Sequence, residues 1–277
     1  MHLYSFLPRL RAAIGGGCLV AGLLLSTAAS AQWHYATRTT LDVAGVLVTP
    51  RDVVMELSGA ITTSLIPGLP ATARIVGVHE EGSATLFVSS RTVELPGAVF
   101  AERRDVSSLT GSTYALALDG SAAGVPPEVA IDGVSRNVSG HVLISIDTTA
   151  DLAGVTGVDD ADVVAWNGIN WTTFFDASSA SVPAHLDVDG LHYDVPGDAM
   201  LLSFDSAGQI DGIDFGREDI LRFEFGGGGW SLELDASTTE PDLVRSDLVA
   251  VPEPTTPLGL LAGVLGLVAA RRVQTGR

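Results

Sequence analysis

An internal repeat of about 57 residues runs through most of this 277-residue chain. Asp105-Val106, Asp162-Val163 and Asp219-Ile220 follow one another at that interval, and residues 143–147 (LISID) match residues 201–205 (LLSFD). A chain made of similar units cannot bury the apolar face of one unit alone, so the units must pack on one another. The repeat therefore limits the fold to architectures built from several copies of a small supersecondary element.

Each unit contains four short segments typical of β-strands. In the third copy they cover residues 186–193, 200–205, 219–225 and 230–235. They are rich in β-branched, aromatic and leucine residues, often alternate with polar ones, and are separated by Gly, Pro and Asp. No part of the body has an apolar pattern of helical period and length. The sequence predicts an all-β fold with four strands per unit.

The two ends of the repeat array complement each other. The first segment of the unit occurs at residues 75–78, 131–134 and 188–191, and again at 246–249 without companions downstream. The later segments of a unit, which do not follow residues 246–249, have counterparts at residues 41–54 near the start of the body. A closed ring needs this arrangement, because the last strand then pairs with the first ones and leaves no open edge. We expect residues 32–250 to form a four-bladed β-propeller-like domain, closed by N- and C-terminal strands. A β-sandwich or a stacked β array is the alternative.

The N-terminus has the three parts of a secretory signal peptide. Arg9 and Arg11 precede an apolar run over residues 12–25, and Ala29-Ser30-Ala31 ends it with small residues at the two positions that signal peptidase recognises. We expect cleavage between Ala31 and Gln32, so residues 1–31 are a signal peptide. The single Cys, Cys18, lies inside it, and the mature chain has none.

The C-terminus combines a short motif, an apolar run and a basic end. Val251-Pro252-Glu253-Pro254 precedes a nearly apolar stretch at 257–270, and Arg271 and Arg272 follow. Fourteen helical residues span about 21 Å, short of a hydrocarbon core of about 30 Å. The paired Arg favours a transmembrane helix with its basic end in the cytoplasm.

These residues resemble the PEP-CTERM sorting signal of Gram-negative bacteria, over 251–277. The matching elements are Pro252, Glu253 and Pro254, the short helix, and Arg271 and Arg272. The resemblance implies processing by an exosortase after export across the inner membrane, with transient anchoring by the C-terminal helix. It also implies release or attachment at the cell surface, often in bacteria that make exopolysaccharide. It predicts where the protein is delivered and leaves the function of residues 32–250, the body of the chain, open.

Three acidic residues share one position in the first segment of the unit. They are Asp132, Asp189 and Asp247, and Val76 takes this position in the remaining copy. If that strand lines a central channel, three carboxylates point toward one axis. They then raise one another's pKa unless a cation lies between them, and Ca²⁺ suits such an oxygen-rich site. The alternative is that these side chains face solvent and only blunt a strand.

The other recurring residues favour structural roles. Asp105, Asp162 and Asp219 precede the third segment, where their carboxylates are expected to accept backbone N–H bonds in turns. Asp119, Asp176 and Asp235 are expected to do the same after the fourth segment. Trp171 falls where Tyr114 and Trp230 fall, which favours core packing over a sugar-stacking platform.

Charge narrows the choice of partners. The chain has 33 acidic residues, and all of its 15 basic residues are Arg, for a net charge of −18. Residues 32–250 keep 32 of the acids and ten of the Arg, which gives −22. Such a body repels nucleic acid. This charge, the sorting signal that residues 251–277 resemble and the lack of a recognised catalytic motif together lead us to expect a non-enzymatic surface or matrix protein, with exopolysaccharide, ions or another surface protein as partners. A secreted carbohydrate-active hydrolase with paired carboxylates and a coat component without a specific ligand are the alternatives.

Overall fold

The computed structural model describes residues 32–37, 40–43, 46–57, 60–239 and 248–253. These residues form an all-β fold with 24 strands and one four-residue helix, α1 (Ala236–Thr239). In these ranges no helix has the length and apolar character needed to cross a membrane. The predicted signal peptide lies outside the described residues, as does most of the predicted sorting signal, including Pro254, Arg271 and Arg272. Asp247 of the predicted calcium site also lies outside them.

The strands are numbered in chain order. The strands up to residue 65 are β1 Gln32–Thr37, β2 Leu41–Val43, β3 Val46–Val48, β4 Asp52–Leu57 and β5 Ala60–Leu65. The next six are β6 Ile75–Glu81, β7 Ala84–Ser89, β8 Val93–Leu95, β9 Val99–Ala101, β10 Val106–Thr110 and β11 Thr113–Leu118. A second set of six comprises β12 Ile131–Arg136, β13 Val142–Ile146, β14 Ala150–Leu152, β15 Val155–Val158, β16 Val163–Trp166 and β17 Trp171–Phe175. The last strands are β18 Val188–Asp194, β19 Ala199–Phe204, β20 Gly208–Ile210, β21 Ile213–Phe215, β22 Ile220–Glu224, β23 Gly229–Leu234 and β24 Leu248–Glu253.

Sixteen of these strands form four antiparallel sheets of four. Sheet 1 is β6-β7-β10-β11, sheet 2 is β12-β13-β16-β17 and sheet 3 is β18-β19-β22-β23. The closing sheet, β24-β1-β4-β5, joins the two ends of the described chain. A two-stranded hairpin lies between the second and third strands of each unit (β2-β3, β8-β9, β14-β15 and β20-β21). The sequence predicts four strands per unit and misses these hairpins, because strands of three or four residues show too little alternation to be recognised.

The closing sheet has the pairing that the order of segments predicts. β24 runs antiparallel to β1, from Leu248 opposite Thr37 to Glu253 opposite Gln32. Pro252 lies opposite Trp33. β24 is an edge strand of its sheet, which is where a Pro is tolerated, since a central strand would need its missing N–H.

The apolar core is divided among the junctions between successive sheets. Val53 of the closing sheet and Phe87 of sheet 1 belong to one buried cluster. A second cluster joins Leu86 of sheet 1 to Ile144 of sheet 2, and a third joins sheets 2 and 3 and includes Phe204. Each unit therefore buries its faces against its neighbours, as the repeat predicts.

The first strands of the four sheets surround a common axis. β6 contacts β12, β12 contacts β18, β18 contacts β24, and β24 contacts β6. Glycines allow this close approach: a Cβ on Gly77 would lie 2.8 Å from the Asp132 carbonyl oxygen, and one on Gly133 would lie 2.9 Å from Leu191 Cδ2. The four sheets are therefore arranged in a cycle around their first strands.

The recurring aspartates hold turns, as the sequence predicts. Asp105 accepts backbone N–H bonds from Glu102 and Gly120, both at 2.8 Å. Asp162 and Asp219 each accept the equivalent pair of bonds. One carboxylate thus joins the start of a sheet's third strand to the end of its fourth, which explains why Asp recurs there.

Aromatic side chains link each of sheets 1, 2 and 3 to the preceding sheet. Trp171 Nε1 donates to the Ala123 carbonyl oxygen at 2.8 Å, and Trp230 Nε1 donates to the Ala180 carbonyl oxygen at 2.8 Å. The Tyr114 hydroxyl donates to the equivalent carbonyl of Pro67. Trp171 is only 3% exposed. The core interpretation of this residue is confirmed, and its ring is not available for stacking on a sugar.

Candidate functional site

Two of the predicted carboxylates, Asp132 and Asp189, lie at register shifts in the first strands of their sheets. The register of β12 against β13 shifts between Ile131 and Gly133, so that Asp132 has no partner across the sheet. Asp189 occupies the same irregularity in β18. A bulge of this kind redirects the side chain of the extra residue.

Each of the two carboxylates is buried and is held by a serine on the adjacent strand. Asp132 accepts a 2.6 Å hydrogen bond from Ser145 Oγ, and Asp189 accepts one of 3.0 Å from Ser203 Oγ. Asp132 is 8% exposed and Asp189 is 2% exposed. The serines lie in the recurring LISID and LLSFD segments, so each Asp and its Ser repeat as a pair.

Sheet 1 replaces both members of this pair with apolar residues. Val76 takes the Asp position at the register shift between Ile75 and Gly77, and Val88, opposite Gly77, takes the Ser position. Val88 is fully buried. Since acid and hydroxyl disappear together, the fold does not need them, and what the pair does is particular to sheets 2 and 3.

The environment of Asp132 opposes its ionisation. Burial raises the pKa of Asp132 well above its ordinary value and is the largest cause of the shift. The negative charge of Asp187 raises the pKa further. Asp189 and Asp147 act in the same direction, while the Ser145 hydrogen bond offsets part of the shift. A carboxyl in such a position either keeps its proton near neutral pH or is stabilised by a cation.

A cavity of about 330 Å³ opens beside Asp132, at the end of the axis where the first strands begin. Arg74, Asp147 and Asp187 line it together with Asp132. Its volume falls in the range of small-molecule sites. We call it the axial cavity.

Asp247, the third predicted carboxylate, immediately precedes β24 in the sequence and lies outside the described residues. Within those residues, no group of three or more His, Cys, Asp or Glu side chains is arranged to hold a metal ion. Asp132 and Asp189 lie on the neighbouring first strands β12 and β18. The calcium site formed by three carboxylates stays a prediction.

A second polar layer crosses the axis further along the first strands. His79, Ser135 and His192 hold equivalent positions on β6, β12 and β18, and all three are buried. The rings of His79 and His192 lie 5.6 Å apart between centroids. Ser135 Oγ lies 3.5 Å from His79 Nδ1 and accepts the Tyr193 backbone N–H at 3.0 Å. This layer was not predicted from the sequence, although His79 and His192 share one repeat position.

Two residues of the predicted sorting motif are described. Pro252 and Glu253 are the last two residues of β24, opposite Trp33 and Gln32 of β1. The Pro-Glu-Pro element therefore begins inside the strand that completes the closing sheet.

No family model matches the chain, and no curated protein matches it. Solved structures that match include a YCF48 bound to a D1 peptide, with 9% identity over 75% of this chain and 87% of that one and a TM-score of 0.33. Virginiamycin B lyase from Staphylococcus aureus matches with 10% identity over 72% and 69% and a TM-score of 0.32. The extracellular domain of a one-component system from B. thetaiotaomicron matches with 7% identity and a TM-score of 0.35, over 73% of this chain and 28% of that one. At these TM-scores the matches add no argument about function.

Proposed function

We propose that the chain is an exported, non-enzymatic protein of the cell surface or extracellular matrix, with a binding or structural role connected with exopolysaccharide. The signal-peptide pattern of residues 1–31 supports export, and the resemblance of residues 251–277 to a PEP-CTERM signal supports exosortase processing. The strongly acidic, lysine-free body between them suits a soluble protein outside the cell.

We infer that the four sheets are the blades of one closed four-bladed β-propeller. The cyclic contacts of β6, β12, β18 and β24 support this, since a β-sandwich would have only two packed layers. The pairing of β24 with β1 supports it as well, because it joins the two ends of the array within a single sheet.

The axial cavity is the observation that carries the binding role. Asp132 borders it, and sheet 1 has valines at the positions of the Asp132–Ser145 pair, so the fold forms without that pair. A buried carboxyl kept at a cost to stability is typical of a site that serves binding or chemistry.

Ca²⁺ is the ion proposed for this end of the axis, bound by Asp132, Asp189 and Asp247. Calorimetric titration of the full-length chain with Ca²⁺ tests it, with a chelator as control and Asp205→Asn as a matched variant at an exposed acid. Binding heat that is lost in Asp132→Asn and kept in Asp205→Asn is the expected result. Absence of heat, together with an unchanged melting temperature, would refute the calcium site.

The proposed export and processing are tested by cell fractionation and by mass spectrometry of the mature protein. The wild-type chain is expected at the surface or in the medium, with new termini after Ala31 and near Pro252. Replacing both Arg271 and Arg272 with Gln should leave uncut chain in the inner membrane, whereas Arg136→Gln in the body should not. Uncut, cytoplasmic wild-type protein would contradict the proposal.

A secreted carbohydrate-active hydrolase is the second candidate. The raised pKa of Asp132, caused first by burial, is what a general acid requires, and Asp189 is a nearby second carboxyl. Release of sugar from the producer's exopolysaccharide, lost in Asp132→Asn, would favour the hydrolase over the non-enzymatic role.

A further inference from the structure

A second cavity, of about 620 Å³, lies where the closing sheet meets sheet 1. Arg51 enters it from the turn before β4, Arg74 from the residue before β6, and Arg91 from the connection between β7 and β8. Thr40 and Thr72 add exposed hydroxyl groups to its wall. We call it the arginine cleft.

The charge of the arginine cleft is opposite to that of the body around it. Residues 32–250 contain 32 acids and only ten Arg, yet three of those ten line this cavity, and no acid is among its lining residues. In the described part of the chain, neither Arg51 nor Arg91 forms an ion pair with a carboxylate. Positive charge is therefore concentrated here, and the side chains of Arg51 and Arg91 are left open to a ligand.

The equivalent turn of sheet 1 shows what happens when such arginines have a structural role. Arg104, at the position equivalent to Arg51, donates to the Glu102 carboxylate at 2.7 Å and to the Val125 carbonyl at 3.0 Å. Its neighbour Arg103 donates to the carbonyls of Pro127 and Glu128. In sheet 2 the position is Ala161, next to Asp160. Arg51 and Arg91 are thus a local exception on a repeated scaffold, which points to a role outside the scaffold itself.

The chemistry of the lining selects the class of ligand. A guanidinium binds an oxyanion through two parallel N–H bonds, and carboxylates fit this geometry well. Arg51 and Arg91, from two chain segments, suit a ligand with more than one carboxylate, and the threonine hydroxyls suit a ligand that carries hydroxyl groups as well. The volume exceeds the need of a lone inorganic anion. A long nucleic acid would meet the repulsion of the surrounding body.

We propose that the arginine cleft binds a short segment of acidic polysaccharide through the carboxylates of its uronic acid units. This deepens the proposed role at the cell surface and rests on it for the choice of a sugar. Arg51 and Arg91 bind the carboxylates, and Thr40 and Thr72 bind ring hydroxyls. The surrounding acidic surface restricts binding to a few sugar units, since a longer chain is repelled beyond the cleft.

The test is calorimetric titration of the full-length chain with a trigalacturonate. The matched ligand is the same trisaccharide with its carboxylates reduced to alcohols, and inorganic phosphate is a third ligand. Arg51→Gln and Arg91→Gln are each expected to weaken trigalacturonate binding at least tenfold, because each removes a charge-assisted hydrogen-bond donor. Arg136→Gln, which removes the same charge at the opposite end of the axis, should leave binding unchanged.

Several results would overturn the proposal. They are equal binding of the reduced trisaccharide, a loss in Arg136→Gln as large as in Arg51→Gln, and phosphate binding as tight as that of trigalacturonate. Unfolding midpoints of the variants establish that a loss of binding is not a loss of folding. The fractionation experiment is independent of this titration. Failed export with intact uronate binding would refute only the proposed export and surface location. Correct export without uronate binding would refute only the proposed ligand of the arginine cleft.

Discussion

The Asp132–Ser145 pair gives the sharpest test of the reasoning, because sheet 1 already contains the apolar version of it. Ser145→Val leaves the buried Asp132 carboxyl without its 2.6 Å donor. Loss of a hydrogen bond to a buried acid costs about 1.5–3 kcal/mol in the free energy of unfolding. The double variant Asp132→Val/Ser145→Val copies Val76 and Val88. It should recover that loss, because removing both partners leaves no polar group unsatisfied.

The pH dependence supplies a second readout with a definite sign. Burial raises the pKa of Asp132 well above its ordinary value, with a further contribution from Asp187. The unfolded chain therefore ionises this acid at lower pH than the folded one. Its contribution to stability is full below the unfolded pKa of about 3.9 and is lost as the pH rises through the folded pKa. In the double variant this decline should disappear, so its advantage over the wild type should grow from pH 4 to pH 8.

Urea unfolding of the wild type and both variants between pH 4 and pH 8 measures these differences. A chelator in every buffer removes any stabilisation of the wild type by a bound cation. If the double variant is as unstable as Ser145→Val at pH 7, the pair is required for packing and the reasoning from sheet 1 is wrong. A pH profile unchanged by the double variant would show that Asp132 does not carry the shift.

Three further predictions test the fold and its electrostatics. A chain that ends at residue 253 should unfold at higher urea concentration than one that ends at 247, since only the former keeps β24 opposite β1; equal midpoints would contradict closure. Trp171→Phe should cost about 1–3 kcal/mol by leaving the Ala123 carbonyl unpaired, whereas Trp166→Phe, which removes no such bond, is the control in the same denaturation assay. Burial and the adjacent Asp159 raise the pKa of Asp160 to about 6, so stability is lost as the pH rises from about 4 to 6. Asp160→Asn should therefore raise the melting temperature at pH 7 and leave it unchanged at pH 3.5; a gain at both pH values would exclude the ionisation as its cause.

The turn aspartates and the aromatic links were within reach of the sequence. Asp105 and its two equivalents recur at one step of the repeat, and the turn role follows from the chemistry of Asp beside a strand. Trp171, Tyr114 and Trp230 likewise recur, and recurrence separates a core role from a unique binding role. The β8-β9 hairpin and its counterparts were missed because their strands are too short to show a period.

The partners of the functional side chains were harder to predict. Ser145 recurs as Ser203, but nothing in either segment indicates that the hydroxyl reaches an acid 13 or 14 residues upstream. That contact depends on the register shift beside Asp132, which alternation along the strand does not reveal. The His79 and His192 layer had a usable signal in their shared repeat position, since equivalent residues of the first strands meet at the axis.

The sequence by itself determined the repeat, the strand content, the acidic charge of the body and the signals predicted at its two ends. These are local or periodic properties, and each follows from residue type and spacing. Only the tertiary structure decided which side chains share a space. Arg51, Arg74 and Arg91 lie on three segments of two sheets, and no periodic pattern connects them. They line one cleft because the closing sheet, completed by the last described strand, packs against sheet 1.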